Sequence, residues 1–199
     1  MDSVFGNTLS SDVAYYSFQE NFFGKTDDNR MKVNLDNLSL TLTDEHFFSQ
    51  IYFSDNGLEG KILKGSIEIV LEGNQKFSGP LTKGSVHILY DEGSLIKYMH
   101  YEMEFLIQGE LLRLRGDKYL YRKPRNPLIL LRILDETTRL YAKIEWQKRF
   151  YDLELKVNAS GLLQMLLTSS IEVDPGHNSI FALLRFLRKF GYTLIKWYF

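Results

Sequence analysis

Residues 95–122, LIKYMHYEMEFLIQGELLRLRGDKYLYR, decide the fold class. Two runs rich in apolar and aromatic residues, 95–107 and 109–122, meet at the pair Gln108-Gly109. Such residues favour strands, and a glycine-containing pair between two strand candidates is typical of a hairpin connection. We therefore predict two antiparallel strands joined by a short turn.

The same kind of run recurs on both sides of this hairpin. In the segment 32–43, apolar and polar residues alternate, and the alternation changes parity at Asp36-Asn37. This predicts a bulge or a tight turn there, which restores the buried face. Gln147-Lys148-Arg149 marks a second hairpin connection. The strand candidates outside the first hairpin are 32–43, 61–71, 83–91, 137–147 and 150–157.

Helical patterns are short and come mainly at the end of the chain. Residues 44–51 are predicted to form one or two helical turns, and residues 161–167 a short helix capped by Asn158 or Ser160. Residues 178–199 follow a strong turn and have a helical pattern with only Gly191 against it. Residues 1–30 are predicted to be an irregular lead-in, in which the apolar and aromatic stretch 13–18 is a strand candidate.

These patterns predict a single, mainly β domain over residues 1–199. Strands in hairpin succession form an antiparallel meander, and a sheet of this size avoids exposed edges by closing as a barrel or by stacking as two sheets. We favour the barrel-like closure. The C-terminal amphipathic helix, 178–199, is then expected to cover one opening or one face of the sheet.

Composition excludes several classes of chemistry. The chain has no cysteine, so disulfides, thiol catalysis and thiolate zinc sites are absent. The N-terminus has no signal-peptide pattern, and no apolar run approaches the roughly 18 residues of a membrane span. We expect a cytoplasmic protein, either free or peripheral to a membrane. Nucleotide-binding glycine motifs and the nucleophile-elbow motif are also absent, and we expect no cofactor.

The segment 178–199 is the most distinctive physical feature. At about 100° per residue, its basic side chains fall in one stripe about 100° wide and its apolar side chains cover most of the remainder. Such a helix is either buried on more than one side or has one side in a membrane interface. The candidate ligand or membrane contacts are Phe181, Arg185, Phe186, Arg188, Lys189, Phe190 and Trp197.

A second basic cluster lies in the strand candidate 109–122. Interleaved with Tyr119 and Tyr121, it is a candidate contact for the phosphates of lipid or nucleic acid. The alternative is a solvated face whose charges pair with acidic neighbours such as Glu102 and Glu104. The candidate anion contacts are Arg113, Arg115, Lys118 and Arg122.

No catalytic or metal site is predicted. The four histidines are scattered and have no carboxylate at metal-ligand spacing. In a strand, His100 and Glu102 share a face, so His100 with Glu102 or Tyr101 is the one candidate for general base chemistry. A solvated strand face is the simpler interpretation.

Several short motifs resemble an accessory β-domain that is found joined to bacterial FAD-dependent oxidoreductases of the glucose-methanol-choline and cholesterol oxidase type. Two features depart from that domain's pattern: its acidic Asp-Asp-Pro-Gly stretch is replaced by residues 125–131, and an aspartate is replaced by Gly161. The matching stretches are Phe18 to Gly24, Tyr101 to Phe105, Gly116 to Lys118, Asp135 to Tyr141, Gly161 to Leu166, and Phe190-Gly191 with Trp197-Tyr198.

The resemblance implies an association with sterol or lipid metabolism. The flavin chemistry of those enzymes belongs to a separate catalytic domain, so no cofactor and no catalytic residue is carried over. We expect a non-catalytic binding domain for a hydrophobic ligand or a lipid surface. The alternative is a protein-interaction or regulatory module for a lipid-active enzyme; a nucleic-acid partner is not expected.

Overall fold

Eight strands pair antiparallel with their neighbours along the chain, and the first also pairs with the eighth, which closes the sheet into a barrel. The structure is a computed structural model and describes residues 12–26, 28–91, 96–121, 135–173 and 179–198. The strands are β1 (Ala14–Thr26), β2 (Met31–Asp44), β3 (Leu58–Leu71), β4 (Lys76–Asp91), β5 (Ile96–Ile107), β6 (Glu110–Tyr121), β7 (Arg139–Trp146), β8 (Arg149–Lys156) and β9 (Ser170–Val173). The helices are α1 (Ala159–Thr168) and α2 (Ser179–Tyr198), with one further helical turn at 135–138.

Alternating burial along the strands places one set of side chains inside the barrel. In β5, Met99, Tyr101, Met103 and Phe105 are buried, whereas the residues between them face outward. This period of two is the signature of a strand with one face on a core. The interior is therefore filled by large side chains from all the long strands.

One polar cluster lies inside this apolar core. Glu20 accepts hydrogen bonds from the Tyr101 hydroxyl at 3.0 Å and from the Lys118 Nζ at 3.1 Å. The Lys118 ammonium also lies 4.8 Å from the centre of the Phe22 ring. Both charged side chains are almost completely buried. Mutual pairing is what makes burial of these two charges tolerable.

The C-terminal part of the chain completes the barrel wall beside β1. The first half of β1 pairs with β9 and the second half with β8, and α1 lies against the stretch between them. Asn21 Nδ2 donates a hydrogen bond to Gln164 Oε1 at 2.7 Å, and the backbone N–H of Gln19 donates to Thr168 Oγ1 at 3.0 Å. Helix α1 thus covers a stretch of β1 that neither β8 nor β9 pairs.

The two ends of the barrel differ. Tight hairpins join β1 to β2, β3 to β4, β5 to β6 and β7 to β8 at one end. The connection of residues 45–57 between β2 and β3 lies at the other end, which we call the mouth. Helix α2 lies across the mouth.

The predicted fold class is confirmed as mainly β, antiparallel and closed as a barrel, with a short helix and a C-terminal helix. The bulge predicted at Asp36-Asn37 is also confirmed: the register of β2 against β3 shifts between Asp36 and Ser39. The Asn158 cap of α1 is confirmed, because its Oδ1 accepts the N–H of Gly161 at 2.7 Å.

The strand candidate 13–18 is confirmed by the first part of β1, whereas the prediction of irregular structure is wrong for residues 19–26, which complete this long strand. Its turn-forming residues have structural roles. Asn21 binds α1, and Gly24 has no side chain where the Glu154 carbonyl of β8 closely approaches. The described residues begin at 12, so the part of the prediction before that lies outside them.

Two further boundaries differ from the prediction. Residues 45–49 form turns instead of a regular helix, because the N–H groups of Phe47 and Ser49 bond to Asp12. Strand β4 begins at Lys76 instead of residue 83: Gly79-Pro80 resembles a turn in sequence but lies within the strand, where Pro80 pairs with Ser66. Strand β9 was not predicted at all.

Candidate functional site

Helix α2 closes the mouth with an aromatic inner side. The Phe186 ring lies 3.7 Å from the Tyr16 ring and 5.8 Å from the Phe53 ring, measured between centroids. Near the end of the helix, Trp197 Nε1 donates a hydrogen bond to the Leu120 carbonyl oxygen at 3.1 Å. The helix therefore spans the mouth from β1 to β6.

Two basic side chains fasten α2 to the connection between β2 and β3. Lys189 Nζ lies 2.6 Å from Asp44 Oδ2 and donates a second hydrogen bond to the His46 carbonyl at 2.8 Å. Arg185 donates hydrogen bonds to the carbonyl oxygens of Phe47, at 3.0 Å, and of Phe48, at 2.7 Å. The Lys189–Asp44 pair is almost completely buried. Such a pair sets the position of the helix more than it adds to stability.

Tyr16 lies beneath the helix and is a packing residue. Burial, and then the nearby Asp44 carboxylate, raise the pKa of Tyr16 far above its ordinary value. Its hydroxyl is buried and has no hydrogen-bond partner among the described residues. The raised pKa keeps the phenol neutral at physiological pH.

The side of α2 that faces away from the barrel is apolar. Ile180, Phe181 and Leu184 are 70, 72 and 57 % exposed, and Ile51, in the neighbouring connection, is 61 % exposed. Ile51, Phe181 and Leu184 help to line a shallow cleft of about 290 Å³. Exposed apolar clusters of this kind commonly mark interaction sites. We call Ile51, Tyr52, Ile180, Phe181, Leu184, Arg188, Tyr192 and Lys196 the outer patch.

Two cations belong to the outer patch. The Arg188 guanidinium lies 5.2 Å from the centre of the Tyr192 ring, and the Lys196 ammonium lies 4.7 Å from that of Tyr52. Within the described residues neither cation has a salt-bridge partner, in contrast to Lys189. The outer patch thus combines apolar side chains with positive charge that no acidic side chain in the described ranges neutralises.

The seven residues predicted on this helix divide between its two sides. Phe181, Arg185 and Arg188 are exposed, as a ligand or membrane contact requires. Lys189 and Trp197 are buried, and Phe186 and Phe190 pack on the core. These last four attach the helix to the mouth and do not face outward to a membrane; their contact with a ligand stays a prediction.

Several residues of the outer patch were missed in the sequence. Ile180, Leu184 and Tyr192 fall on the same side of an ideal helix as Phe181 and Arg188, so a helical projection that separated the two apolar sides would have found them. Ile51 and Tyr52 come from a turn segment. Nothing in their local sequence indicates that they lie beside the helix.

The predicted anion contacts do not form one site. Arg113 lies 3.1 Å from Glu104, and Arg115 lies 3.1 Å from Glu102. Lys118 lies inside the barrel with Glu20, which corrects its place among the anion contacts. Arg122 lies outside the described residues. The structure therefore favours the alternative of a solvated face with paired charges for Arg113 and Arg115.

His100 and Glu102 lie on the outer face of β5. His100 Nδ1 is 2.7 Å from Asp117 Oδ1, and its Nε2 is 3.6 Å from Glu102 Oε1. The hydrogen bond to Asp117, with a smaller contribution from Glu102, raises the pKa of His100. Tyr101 points inward to Glu20 and does not join them. The general-base interpretation required an enclosed pocket around these side chains, and their outward position does not meet that requirement.

A larger cleft of about 890 Å³ lies between the segment 45–57 and strands β2 to β4. Its lining is polar and contains carboxylate, hydroxyl, ammonium and imidazole groups. Glu59, Lys61 and His87 are among the lining residues. Within the described ranges, no group of three or more histidine, aspartate or glutamate side chains is arranged so that it could hold a metal ion. In the same ranges, no helix has the length and apolarity needed to span a membrane.

The protein is a closed eight-stranded antiparallel barrel. Strand β9 is an extra strand beside β1, and helix α2 covers the mouth. No family model, no curated protein and no solved structure matches the chain at a significant level. The resemblance to the accessory domain of flavin oxidoreductases therefore stays a prediction.

Proposed function

We propose that the protein binds anionic lipid surfaces through the outer patch of α2. One observation supports this most: Phe181 and Leu184 project from the same side of the helix as two cations, Arg188 and Lys196, that lack acidic partners in the described structure. Apolar side chains can enter the acyl boundary of a membrane, while arginine and lysine contact anionic headgroups.

The free energies expected from these side chains are sufficient for reversible attachment to a membrane. Full burial of one large apolar side chain stabilises by roughly 1.5–3 kcal/mol, and each cation near an anionic membrane adds about 1 kcal/mol. Tyrosine is well suited to the headgroup region because it has an apolar body and a polar tip. Tyr52 and Tyr192 would occupy that region in the proposed arrangement.

A surface is favoured over a ligand inside the barrel. Interior positions are occupied by large buried side chains, among them Met31, Tyr101 and Phe105. A hydrophobic small molecule of any size would need several of them to move, and packed cores resist such changes. The outer patch needs no rearrangement to meet a membrane.

The test is co-sedimentation with vesicles of phosphatidylcholine alone and of phosphatidylcholine with phosphatidylserine. We expect binding to the mixed vesicles that weakens as salt is raised. The double variant Phe181→Ser/Leu184→Ser should lower the partition coefficient by about tenfold or more, because two apolar anchors are lost. Arg188→Glu/Lys196→Glu should remove the preference for anionic vesicles.

The matched control is Leu163→Ser/Leu167→Ser on α1, where two strongly exposed leucines lie one helical turn apart. This variant should bind vesicles as the parent protein does. If the parent protein ignores both vesicle types, or if the α1 and α2 variants lose binding equally, the lipid proposal is wrong. Vesicle-independent self-association through the same patch would instead indicate a protein-docking surface.

A further inference from the structure

The shallow cleft beside the outer patch has three basic side chains in its lining and, within the residues that the structure describes, no acidic one. It has a volume of about 290 Å³ and lies between residues 50–51 and helix α2. Lys189, one of the three, is neutralised by Asp44. Arg185 and Arg188 have no salt-bridge partner among the described residues. Two positive charges therefore remain uncompensated, and we call this site the arginine cleft.

The two arginines are close neighbours on the helix. Side chains three residues apart lie on the same face of an α-helix, and like charges at this spacing destabilise it. On the outer wall of the barrel, by contrast, Arg113, Arg115 and Arg139 each lie within 3.1 Å of a carboxylate. In the arginine cleft, an anion from outside the described chain would relieve the repulsion.

Arg185 is held in one orientation before any ligand binds. Its Nε and Nη2 groups donate to the carbonyl oxygens of Phe47 and Phe48, and its guanidinium lies 5.7 and 5.6 Å from the centres of these two rings. Its Nη1 group has no hydrogen-bond partner in the described part of the chain, so it remains available as a donor. Holding a donor in position in advance lowers the entropic cost of binding.

Arg188 and Gln50 supply further donors to the same cleft. The Arg188 guanidinium contacts the Tyr192 ring at 5.2 Å but donates no hydrogen bond to a described residue. The side-chain amide of Gln50 is likewise without a partner in the described ranges. A guanidinium has five N–H donors and a glutamine amide has two. The cleft is therefore rich in donors that the protein itself does not use.

A phosphate monoester matches these donors and charges better than a carboxylate does. It has a charge of about −1.5 to −2 at neutral pH and three strong acceptor oxygens. A carboxylate has a single negative charge and two oxygens. Guanidinium groups commonly bind phosphate through two parallel N–H···O bonds. One phosphate monoester can thus neutralise both arginines and still accept a hydrogen bond from Gln50.

The rim of the cleft favours a lipid as the source of this phosphate. Ile51, Phe181 and Leu184 line the cleft together with the arginines, and each is more than half exposed. Sites that enclose a whole small molecule usually have about 300–1,000 Å³. The cleft is at the lower end of this range, so it has room for a headgroup while the acyl chains lie over the apolar rim. A soluble phosphate compound would leave that rim in water.

We propose that the arginine cleft binds the terminal phosphate monoester of a membrane lipid. This inference rests on the proposed attachment of the outer patch to anionic membranes, and it names the headgroup that the site prefers. Diffuse attraction to negative charge depends on the charge density of the membrane alone. Recognition by two arginines and an amide depends also on the number and geometry of the phosphate oxygens.

The experiment compares two vesicle types of equal surface charge. Phosphatidylcholine is mixed with phosphatidic acid, which has a terminal phosphate monoester, or with phosphatidylserine, which does not, and the anionic fractions are adjusted to equal zeta potential. We expect the full chain to co-sediment about tenfold more tightly with the phosphatidic acid vesicles. Backbone amide NMR titrations with dihexanoyl phosphatidic acid and with glycerol 3-phosphate then test the cleft without a membrane. Both should shift residues 50–51 and the cleft side of α2, and the lipid should bind more tightly.

Two variants separate recognition from charge. Arg188→Lys keeps the positive charge but loses the planar pair of donors, so it should weaken binding to phosphatidic acid vesicles about tenfold and change binding to phosphatidylserine vesicles little. Gln50→Glu places a carboxylate in the cleft and should act in the same direction. The matched control is Lys196→Gln, which removes a cation of the outer patch that does not line the cleft. It should weaken binding to both vesicle types by the same factor.

The outcomes distinguish this inference from the proposed function. Equal binding to the two vesicle types, unaffected by Arg188→Lys, overturns the arginine cleft and leaves attachment to anionic membranes standing. Binding to neither vesicle type contradicts both. If glycerol 3-phosphate binds as tightly as dihexanoyl phosphatidic acid, the assignment to a lipid is overturned and the site takes a soluble phosphate compound.

Discussion

At the scale of single residues, the buried Lys118–Glu20 pair makes a direct prediction about stability. Lys118→Met leaves the Glu20 carboxylate buried without its cation, and Glu20→Gln leaves the ammonium without its anion. Breaking a buried pair on one side costs about 3–5 kcal/mol in the free energy of unfolding. Urea denaturation of the two single variants measures this loss.

The double variant Lys118→Met/Glu20→Gln is the control for this prediction. It removes both charges, so we expect it to recover most of the stability that either single variant loses. In the double variant, the glutamine that replaces Glu20 can still accept the hydrogen bond from the Tyr101 hydroxyl. If the single variants each lose less than about 1 kcal/mol, the pair is more hydrated than its burial indicates.

His100 makes a prediction about pH dependence. Its pKa is raised above the ordinary value of about 6.5, mainly by the hydrogen bond to Asp117. The contact therefore stabilises the fold fully below about pH 6.5, and this contribution is lost as the pH rises through the raised pKa. In an NMR titration of the imidazole signals, Asp117→Asn should lower the pKa of His100 more than Glu102→Gln does. The reverse order would show that Glu102 is the main partner.

Residue roles could be predicted from the sequence only where local periodicity determines them. Phe181 and Arg188 follow from the helical projection of residues 178–199. Lys189 falls in the same basic stripe but is buried, because it pairs with Asp44. This partner is 145 residues away in the chain, so the helical pattern does not reveal it. Lys118 is a similar case, with Glu20 98 residues away. Periodicity carries no information about such distant partners.

At the scale of elements, Gly191 interrupts an otherwise regular helix α2. A methyl group added at this position would meet no atom within 4 Å. Gly191→Ala should therefore raise the free energy of unfolding by about 0.5–1 kcal/mol, since alanine loses less backbone entropy in a helix. Thermal or chemical denaturation measures the change. A destabilised variant would mean that the helix is bent or mobile at Gly191.

Most elements could be predicted because their patterns are local. The alternation in β5 and β6 and the helical spacing in α2 are properties of contiguous sequence. β9 was missed because its four residues, Ser170–Val173, are too few to form a pattern and are strand only by pairing with β1. The turn at 45–49 was mistaken for a helix because Asp12, which binds its N–H groups, is far away in sequence.

At the scale of the whole molecule, the strand patterns predict an antiparallel meander and favour barrel closure, but they do not decide between a barrel and two stacked sheets. The choice depends on where β1 pairs, and β1 was not recognised as a long strand. In the structure β1 pairs with β2 on one edge, and with β9 and β8 on the other. The β1–β8 seam has only four residue pairs, Phe23 to Thr26 with Lys156 to Leu153. Barrel closure is thus determined by a short contact between distant parts of the chain.

The seam makes the last prediction. At Gly24 an added methyl group would meet the backbone carbonyl of Glu154 in β8, and backbone atoms cannot rotate away as a side chain can. We expect Gly24→Ala to lower the free energy of unfolding by about 2–3 kcal/mol, through overpacking of the strand pair. Native-state hydrogen exchange should show loss of protection at residues 23–26 and 153–156 before other strands, because the closing contact is the one that is strained. Gly191→Ala adds the same methyl group in open space and is the matched control. If both variants are equally stable, the β1–β8 contact is looser than a closed barrel requires, and the sheet opens at this seam in solution.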